Sequence, residues 1–412
     1  MKEFKIVRDP IHGDIKFEGI FLEFLESPEI QRLHSIRQLG FAHMVFPGAN
    51  HTRLEHSIGT FKMAEMAGEI LSLKEEERLI LSSAAMLHDV GHGPFSHTLE
   101  SILRERFKVD HVDLTEKILL GKEEIFEEDE KKYVNAPSVV EVIEKHGLNP
   151  MEIVKIIRGK HEKGYLSQLL NSPIDVDQLD YLVRDGYYTG VAYGHIDVER
   201  FLNMLRVVNG DLAISRKGVS VVENILMARC LMFSSVYFHK TVRIAELMIS
   251  KAIELANEEH PFKFYKCTDD EILSILRNSG GFQKEIAVRL KYRRLFKQAY
   301  TLPASYEEGN IGRLEDPAYR SKKEREFEEV LGIPEGYVII DVPKRELFLS
   351  EPRIDKVSIP VLDTKGVERM ENISPVVNAI KSRRIPEWSV MIVTDEPYRK
   401  KVSENAESIL FD

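Results

Sequence analysis

The sequence has few cysteines, and its apolar runs are short. Cys230 and Cys267 are the only cysteines among 412 residues, so a disulfide framework and a zinc-ribbon spacing are both excluded. Runs such as Leu79–Leu81 and Ala84–Leu87 are too short to span a bilayer, and the N-terminus lacks the apolar segment of a signal peptide. These features predict a cytoplasmic protein that does not enter a membrane.

Positive charge is in the minority. Lysine and arginine number 57 against 67 aspartates and glutamates, which gives a formal net charge of −10. Because the phosphates of duplex nucleic acid repel an acidic surface, no stable binding of a duplex is expected. A small anionic ligand needs only a local basic pocket. The composition, with 43% hydrophobic and 30% charged residues, is that of a globular chain.

The order of apolar patterns predicts a mainly α fold with a short N-terminal hairpin and a small C-terminal α+β appendage. Residues 4–18 alternate apolar and polar positions around a proline and a glycine, which favours a hairpin. Helical spacing then recurs over Phe21–Leu25, Ile58–Leu71, Arg78–Leu87, Leu114–Leu120, Val139–Ile143 and Val221–Ile253. We predict a helical core over residues 1–260, a helical extension and charged connection over 261–329, and a small α+β domain over 330–412. The charged connection is predicted at 304–329, and strands are predicted at 337–342, 356–362 and 388–393.

Two short segments place histidines and charged residues at helix ends. His88-Asp89 follows the apolar run LILSSAAML and precedes Val-Gly-His-Gly-Pro, a sequence that ends helices. Arg53 and His56 lie three residues apart at the start of a predicted helix, so both project from one face. The His-Asp pair alone is usually structural. Its neighbours are what make it informative.

A third segment, IDVDQLDYLVRDG, repeats polar side chains every four residues. Asp177, Tyr181 and Asp185 would share one helical face, and the interleaved apolar residues indicate burial. Buried carboxylates are rare unless they are paired or bind a metal. The candidate metal ligands are therefore His56, His88, Asp89 and Asp177, a mixed nitrogen and oxygen set that suits Mn²⁺, Fe²⁺, Co²⁺, Ni²⁺, Zn²⁺ or Mg²⁺.

Further histidines lie close to this set in the sequence. His92, His97 and His111 all fall within 24 residues of His88. Each is a candidate to hold a phosphate oxygen or to donate a proton, and Glu100 is a candidate to orient one of them. A divalent cation beside them would lower the pKa of water and stabilise negative charge on a phosphoryl group.

The segments DPIHG, QRL, RQLG, VFPGANHTRLEHSIG, HDVGHGPFSH and DVDQLDYLVRD resemble the HD phosphohydrolases of the deoxynucleoside triphosphate triphosphohydrolase family. The similarity runs from about Asp9 to Lys240 and continues weakly through YRRLFK at 292–297. It implies an HD-domain helical bundle, a nucleotide substrate and a homo-oligomer, either dimer or tetramer. It also implies that the four candidate ligands hold the metal, and that a nucleotide activator can bind between subunits. In the matching activator segment the chain has Glu26, Gln31 and His34, and the arginine expected at the last position is missing.

The resemblance also implies roles for the residues around the metal. Around the α-phosphate it places Arg53, His92, His97 and His111, with His111 as the general acid. At the sugar it places Gln38 and Asp185 near the 3′-hydroxyl, and Leu39 and Tyr237 where a 2′-hydroxyl would project, which would favour deoxyribose. It places Tyr181, Arg229 and Lys240 on the phosphates. Arg229 and Lys240 lie 11 residues apart on one predicted helix, so they nearly share one helical face. Two departures are Gln178, where the family has a phosphate-binding lysine, and Phe238, where it has a glutamine.

Three functions agree with these residues. The first is hydrolysis of a deoxynucleoside triphosphate to deoxynucleoside and tripolyphosphate. The second uses the same centre on a nucleoside monophosphate or a cyclic dinucleotide, and the third is a nucleotide sensor without catalysis. Arg229 and Lys240 favour the first, since a monoester needs fewer cations than a triphosphate.

Overall fold

The computed structural model of the chain describes residues 3–126, 130, 132–256, 263–304, 311–343, 359–364, 366–381 and 388–411. The side chain of His97 lies outside the described part. Within that part the chain forms twenty α-helices, and nine strands in three small sheets. The prediction of a mainly α fold is confirmed.

The described chain divides by its contacts into two compact units. The first contains Met1–Met232, Lys263–Asp270 and Lys356–Ile380, and the second contains Phe233–Phe262, Glu271–Asp355 and Lys381–Asp412. The three-part division by sequence position stays a prediction. The helices are α1 Ile20–Glu26, α2 Pro28–Arg32, α3 Arg53–Ile70, α4 Glu75–Leu87, α5 Ser96–Phe107, α6 His111–Leu119, α7 Val139–Lys145, α8 Pro150–Ile157, α9 Gly164–Leu170, α10 Val176–Thr189, α11 Val198–Met204, α12 Val219–Met232, α13 Lys240–Glu254, α14 Asp269–Ser279, α15 Gly281–Lys291, α16 Ile311–Leu314, α17 Pro317–Leu331, α18 Met370–Ile373, α19 Pro375–Lys381 and α20 Arg399–Phe411.

Three sheets accompany the helices. Strands β1 Phe4–Asp9 and β2 Gly13–Glu18 form the predicted antiparallel hairpin, whose turn uses Gly13 in the left-handed region. The first unit also contains a sheet in the order β3-β4-β7-β8, and the second unit contains one in the order β5-β9-β6. The remaining strands are β3 Leu205–Val208, β4 Asp211–Ser215, β5 Lys297–Pro303, β6 Val338–Asp341, β7 Pro360–Asp363, β8 Gly366–Arg369 and β9 Trp388–Thr394.

Helices α3, α4 and α10 form the centre of the first unit, where α3 packs against both others. Helix α3 begins at Arg53 with a capping box in which Thr52 and Glu55 satisfy each other's backbone N–H groups. The carboxylate of Asp175 caps α10 by accepting from the backbone N–H of Gln178. Because these caps fix where each helix starts, they also fix the heights at which the following side chains project.

The predicted helix over Val221–Ile253 is wrong as a single element. Helix α12 ends at Met232, a π-helical turn covers Phe233–Tyr237, and α13 starts at Lys240. His239 has an extended backbone and caps α13 by accepting from the N–H of Thr241, which breaks the helix. The inference that Arg229 and Lys240 share one helical face therefore loses its basis.

The charged stretch 304–329 was predicted as a connection, and this prediction is also wrong for the described residues. Asp316 caps α17, Pro317 occupies its first turn, and Gly332 ends it in the left-handed region. Phe327 and Leu331 lie in the core of the second unit. The helix therefore packs into the core. Its many charged residues made its apolar face difficult to recognise in the sequence.

Strands from the C-terminal region belong to two different sheets. Strand β6 pairs with β9, and β9 pairs with β5, whereas β7 runs parallel to β4 through Ile214↔Val361. Residues 356–358 of the predicted strand 356–362 lie outside the described residues. Pairing across such sequence distances leaves no local signal.

One helical stretch in the described part, Arg216–Tyr237, is long and apolar enough to cross a membrane by length and composition alone. The sequence analysis did not single it out. Buried core helices pass the same test, and Ile225, Leu226 and Arg229 within this stretch are buried. The stretch is weak evidence for a membrane span.

Candidate metal centre and active site

Three candidate ligands converge at the first turns of α3 and α10 and the end of α4. His56 Nε2 lies 3.0 Å from Asp177 Oδ1, and His88 Nε2 lies 3.8 Å from the same oxygen. The two imidazole rings meet nearly at a right angle, with centroids 5.3 Å apart. One ligand atom from each of the three residues fits within 4.8 Å of the others. The group therefore has the composition and spacing of a metal site.

Asp89 completes the predicted set. Its Oδ1 lies 3.2 Å from His88 Nε2, while its Oδ2 accepts from Arg53 Nη1 at 2.6 Å. Nε2 of His88 is buried and has no hydrogen-bond partner among the described residues, although these carboxylate oxygens lie close to it. A buried imidazole nitrogen without a hydrogen bond, facing carboxylates, is what a divalent cation would satisfy. The residues present fit the metal.

Both histidines present the same nitrogen to the centre. His88 Nδ1 lies 2.8 Å from the carbonyl oxygen of Ala85, and His56 Nδ1 lies 2.8 Å from Asp180 Oδ2. Since a carbonyl or carboxylate oxygen accepts, each Nδ1 carries the hydrogen and donates. The lone pair of each neutral ring is then on Nε2, the nitrogen that faces the centre.

The charges of the centre are strongly coupled. Burial lowers the pKa of His56, but the hydrogen bonds with Asp177 and Asp180 outweigh burial and raise it to about 10. Burial raises the pKa of Asp89, whereas His88, His92 and Arg53 hold it well below its usual range. In the absence of a metal ion, a proton on His56 offsets part of the negative charge of Asp177 and Asp180. Binding of a metal at Nε2 would displace that proton.

A second row of side chains continues from Asp89. His92 Nε2 lies 3.3 Å from Asp89 Oδ1, and the His92 ring stacks on the His111 ring with centroids 4.1 Å apart. His111 Nδ1 lies 2.8 Å from Glu100 Oε1. Burial and the positive charge of Arg53 lower the pKa of His92 well below its usual range, so this imidazole is neutral. The predicted candidates Arg53, His92, Glu100 and His111 thus lie in one connected group.

The loop after His88 is held by backbone contacts. Arg32 donates to the carbonyl oxygens of His92 at 2.5 Å and of Cys267 at 3.1 Å. The hydroxyl of Thr115 accepts from the N–H of Gly91 at 3.0 Å. A Cβ atom at Gly91 would lie 2.3 Å from the carbonyl oxygen of His111, so only glycine permits this approach of α6. These contacts hold the segment HDVGHG against the segment QRL, which contains Arg32.

Gln38 and Asp185 meet at a histidine that the sequence analysis missed. His51 Nε2 lies 2.7 Å from Asp185 Oδ1, and the backbone N–H of Gln38 donates to the carbonyl oxygen of His51 at 3.0 Å. The His51 ring stacks on Tyr188 with centroids 4.5 Å apart. Leu39 follows Gln38 and starts a 3₁₀ turn over Gly40–Met44. His51 is the first residue of the segment HTRLEH, which also contains Arg53 and His56. This position in the sequence was the feature that could have identified it as a site residue.

Two known families of protein domains match this chain. The HD domain family matches residues 53–185, and the HD associated region matches residues 196–411. The chain belongs to the HD-domain family. HD domains bind divalent metals, and the group of His56, His88 and Asp177 agrees with such a site.

Relatives of this HD-domain chain include both uncharacterised proteins and an enzyme of known activity. An uncharacterised protein of Methanocaldococcus jannaschii is 31% identical over 410 residues, which cover 97% of this chain and 81% of that protein. The human deoxynucleoside triphosphate triphosphohydrolase SAMHD1 is 29% identical over 352 residues, which cover 71% of this chain and 54% of the human protein. The crystal structure of a hypothetical protein from Aquifex aeolicus has a TM-score of 0.73 and 27% identity, and the match covers 98% of this chain and 100% of that one. The chain thus belongs to the HD phosphohydrolase family and spans about half the length of its human relative.

The remaining predicted site residues of this HD-domain protein are Tyr181, Arg229, Tyr237, Lys240 and His97. The Tyr181 ring lies 6.4 Å from the His56 ring. Arg229 is fully buried on α12 and donates through Nη1 to the carbonyl oxygen of Pro173 at 2.7 Å, in the loop before α10. Tyr237 and Lys240 belong to the second unit, and their roles stay predictions. So does the role of His97, whose side chain lies outside the described residues.

Gln178, one of the two departures from the family pattern, is buried beside Asp177. Its Nε2 donates to the carbonyl oxygen of Ser172 at 3.0 Å, and its backbone N–H donates to Asp175. The side chain therefore supports the turn before α10. A lysine at this position would bring a charge that this chain lacks.

A second group of possible ligands, Glu152, His161 and Glu162, lies near the surface of the HD-domain chain. Lys155 Nζ lies 3.0 Å from Glu152 and 2.5 Å from Glu162, and His161 Nε2 lies 3.1 Å from Glu152. The ammonium group already pairs with both carboxylates. This group has the character of a surface ion-pair cluster.

Proposed function

We propose that this HD-type phosphohydrolase hydrolyses deoxynucleoside triphosphates to a deoxynucleoside and tripolyphosphate. The observation that supports it most is the contact series from the candidate ligand Asp89 through His92 to His111, with steps of 3.3 Å between side-chain atoms and 4.1 Å between rings. This series places a candidate proton donor beside a candidate metal centre. The human relative is a deoxynucleoside triphosphate triphosphohydrolase, which agrees with this substrate class.

In this proposal His56, His88, Asp89 and Asp177 hold a divalent cation, which supplies Lewis-acid stabilisation of the phosphoryl charge when bound. Arg53 is buried with its guanidinium on Asp89, so it adds fixed positive charge close to the cation. Planar guanidinium groups suit phosphate oxygens. The site would thus bind the α-phosphate between the cation and Arg53.

The reaction consumes one water. Its oxygen bonds to the α-phosphorus, and the bond between that phosphorus and the 5′-oxygen breaks. One proton of the water stays on the tripolyphosphate, and the other goes to solvent, from which His111 regains the proton that it gives up. The departing 5′-oxygen takes a proton from the imidazolium of His111. Glu100, 2.8 Å from His111 Nδ1, would orient the imidazole, with Nε2 as the proposed donating nitrogen. The products are deoxynucleoside and tripolyphosphate.

Selection of the sugar would use the neighbouring group of Gln38, Leu39 and Asp185. One carboxylate oxygen of Asp185 meets His51, which orients the carboxylate that would accept from a 3′-hydroxyl. Preference against a 2′-hydroxyl would depend on Leu39 and Tyr237. A nucleotide activator, homo-oligomerisation and a cytoplasmic location all stay predictions.

A second candidate keeps the same centre and takes a nucleoside monophosphate or a cyclic dinucleotide. The observation that favours it is Gln178, which is buried, holds the turn before α10 and supplies no charge for a phosphate chain. Arg229 likewise directs Nη1 to a backbone carbonyl. Fewer cations along the phosphates favour a shorter ester.

Product analysis decides between the candidates. The protein is incubated with Mn²⁺ and each common nucleoside mono-, di- and triphosphate or cyclic dinucleotide, and the products are separated by ion-exchange chromatography. Tripolyphosphate from dNTPs supports the first candidate, and orthophosphate or a linear dinucleotide supports the second. Nucleotide binding without any turnover would indicate a sensor and contradict both.

A variant pair ties the reaction to the centre. Replacing His88 and Asp89 with alanine is expected to abolish hydrolysis, because it removes two of the four ligands. His146→Ala, on the exposed side chain paired with Glu23, is the matched control and should retain wild-type rates. Hydrolysis that survives in the double variant would overturn the proposed mechanism.

A further inference from the structure

Asp180 is a completely buried carboxylate that has no part in the proposed ligand set. It lies on α10, one residue before Tyr181, and its side chain is 0% exposed. Its Oδ2 lies 2.8 Å from His56 Nδ1, the ring nitrogen that does not face Asp177. A side chain buried in this way requires compensation by several donors.

Four donors meet this carboxylate. Arg184 Nε and Nη2 each lie 2.9 Å from one of its oxygens, and His12 Nε2 lies 2.6 Å from Oδ1. Burial raises the pKa of Asp180, but Arg184, His12 and His56 hold it well below its usual range. Because an ionised carboxylate only accepts hydrogen bonds, the nitrogen of His56 that faces it carries the hydrogen.

His12 comes from the turn of the N-terminal hairpin, and that turn is shaped by Asp9. Asp9 Oδ1 accepts from the backbone N–H groups of Ile11 at 2.9 Å and of His12 at 2.8 Å. Its Oδ2 accepts from Arg184 Nη1 at 2.8 Å. The segment DPIHG is thereby joined twice to α10, once through each of its polar side chains.

Helix α3 is adapted to the same cluster. Gly59 lies one turn after His56, and a Cβ atom there would be 1.9 Å from Asp180 Oδ1 and 2.3 Å from Arg184 Nη2. Real contacts of this kind are at least 3.0 Å. Glycine therefore allows α10 to bring Asp180 against the imidazole.

We propose that the N-terminal hairpin, through Asp9 and His12, holds Asp180 in the position that fixes the tautomer and orientation of His56, and thereby strengthens cation binding at the metal centre. Asp180, His12 and Arg184 are positioning residues, because they act on the cation through His56. This inference rests on the metal centre of the proposed function and is independent of which nucleotide is the substrate. Carboxylates behind metal-bound imidazoles are worth about 10- to 100-fold in metal affinity.

The rival explanation is that the cluster serves only to join the hairpin to the helices. The two explanations differ in one readout, the affinity for the metal of protein that is still folded. We therefore measure Mn²⁺ binding to metal-free protein by titration calorimetry, without nucleotide. Thermal unfolding of the same samples in EDTA reports the fold separately.

The test uses two variants and one control. Asp180→Asn preserves size but places an amide N–H₂ where only acceptors fit, and is expected to weaken Mn²⁺ binding by about 10- to 100-fold. His12→Gln removes the hairpin's contact and is expected to weaken it by a smaller factor. Arg8→Ala changes an exposed residue of the same hairpin that pairs with Asp14, and should leave the affinity unchanged.

The outcomes separate cleanly. Weaker Mn²⁺ binding in both variants, with folded protein and an unaffected control, supports the proposal. Unchanged binding in folded His12→Gln overturns the role of the hairpin, and unchanged binding in both variants overturns the inference entirely. If Asp180→Asn does not fold, His12→Gln alone decides. Because no nucleotide is present, failure of the dNTP assay would leave this result intact.

Discussion

Gly59 offers a quantitative test of how closely α3 and α10 approach each other. The perturbation is Gly59→Ala, which adds one methyl group at a buried helical position. That carbon would lie 1.9 Å from Asp180 Oδ1 and 2.3 Å from Arg184 Nη2. Both of these side chains are completely buried, so neither can swing away into solvent. The methyl group must therefore displace a helix or separate the ion pair.

The magnitude follows from three terms. Overpacking of a core costs about 1–3 kcal/mol, and breaking a buried ion pair costs about 3–5 kcal/mol. Alanine returns about 1 kcal/mol through its better helix propensity. After the propensity gain, strain alone would cost about 0–2 kcal/mol and ion-pair loss about 2–4 kcal/mol. Because a carbon 1.9 Å from Asp180 Oδ1 is too close for strain alone to relieve, we expect ion-pair loss, and the free energy of unfolding should fall by about 2–4 kcal/mol.

The control is Gly68→Ala on the same helix. Its added carbon would lie 3.0 Å from Cγ of Arg78, a partly exposed side chain that can shift. This variant should unfold within about 1 kcal/mol of the parent, because the propensity gain is retained. Urea unfolding followed by far-UV circular dichroism in EDTA compares the three proteins. Equal stability of the two alanine variants would refute the close contact between Gly59 and Asp180.

Further predictions concern the acid, the arginine and pH. His111→Gln should lower kcat by about 10²- to 10⁴-fold and leave Mn²⁺ affinity unchanged, and an equal fall in both would argue against a proton-donor role. Arg53→Lys should raise the KM for the nucleotide, because an ammonium group cannot replace the planar contact with phosphate, and a wild-type KM would contradict this. Burial raises the pKa of Glu29 to about 7, so its contribution to stability is present below about pH 4 and is lost as the pH rises through 7. Glu29→Gln should therefore be more stable than the parent at pH 8, by up to about 3 kcal/mol, and similar to it at pH 4; the same difference at both pH values would contradict the assignment.

Local rules accounted for the parts of the fold with local causes. The hairpin at residues 4–18, the start of α3 at Arg53 and the end of α4 before His88 are each set by neighbouring residues, and each was predicted. Helices α3 and α4 followed from apolar spacing, and α10 followed from the four-residue repeat of Asp177, Tyr181 and Asp185. Their convergence could be expected only because unrelated segments each presented one unusual polar side chain.

Contacts between distant residues had no comparable signal. Asp180 and His12 are 168 residues apart, and Asp180 lies off the helical face shared by Asp177 and Asp185, so its contact with His12 could not be predicted. His51 lay inside a segment already assigned to Arg53 and His56. In both cases the missing fact was which carboxylate each imidazole meets in the folded chain.

The errors over 304–329 and at His239 have a related cause. Charge alone indicated a connection, yet Glu328 accepts from the backbone N–H of Gly336 and Glu324 accepts from that of Ile340, so these carboxylates can be buried. The break before Lys240 depends on a capping contact that apolar spacing does not register. Polar side chains that bond to backbone are thus the main limit of pattern reading in this chain.

Crystals grown without metal and then soaked in Mn²⁺ would test the central claim most directly. An anomalous difference map should show one strong peak bonded to His56, His88, Asp89 and Asp177. A map without a peak between these four side chains, or with its strongest peak at the surface cluster of Glu152 and His161, would contradict the account.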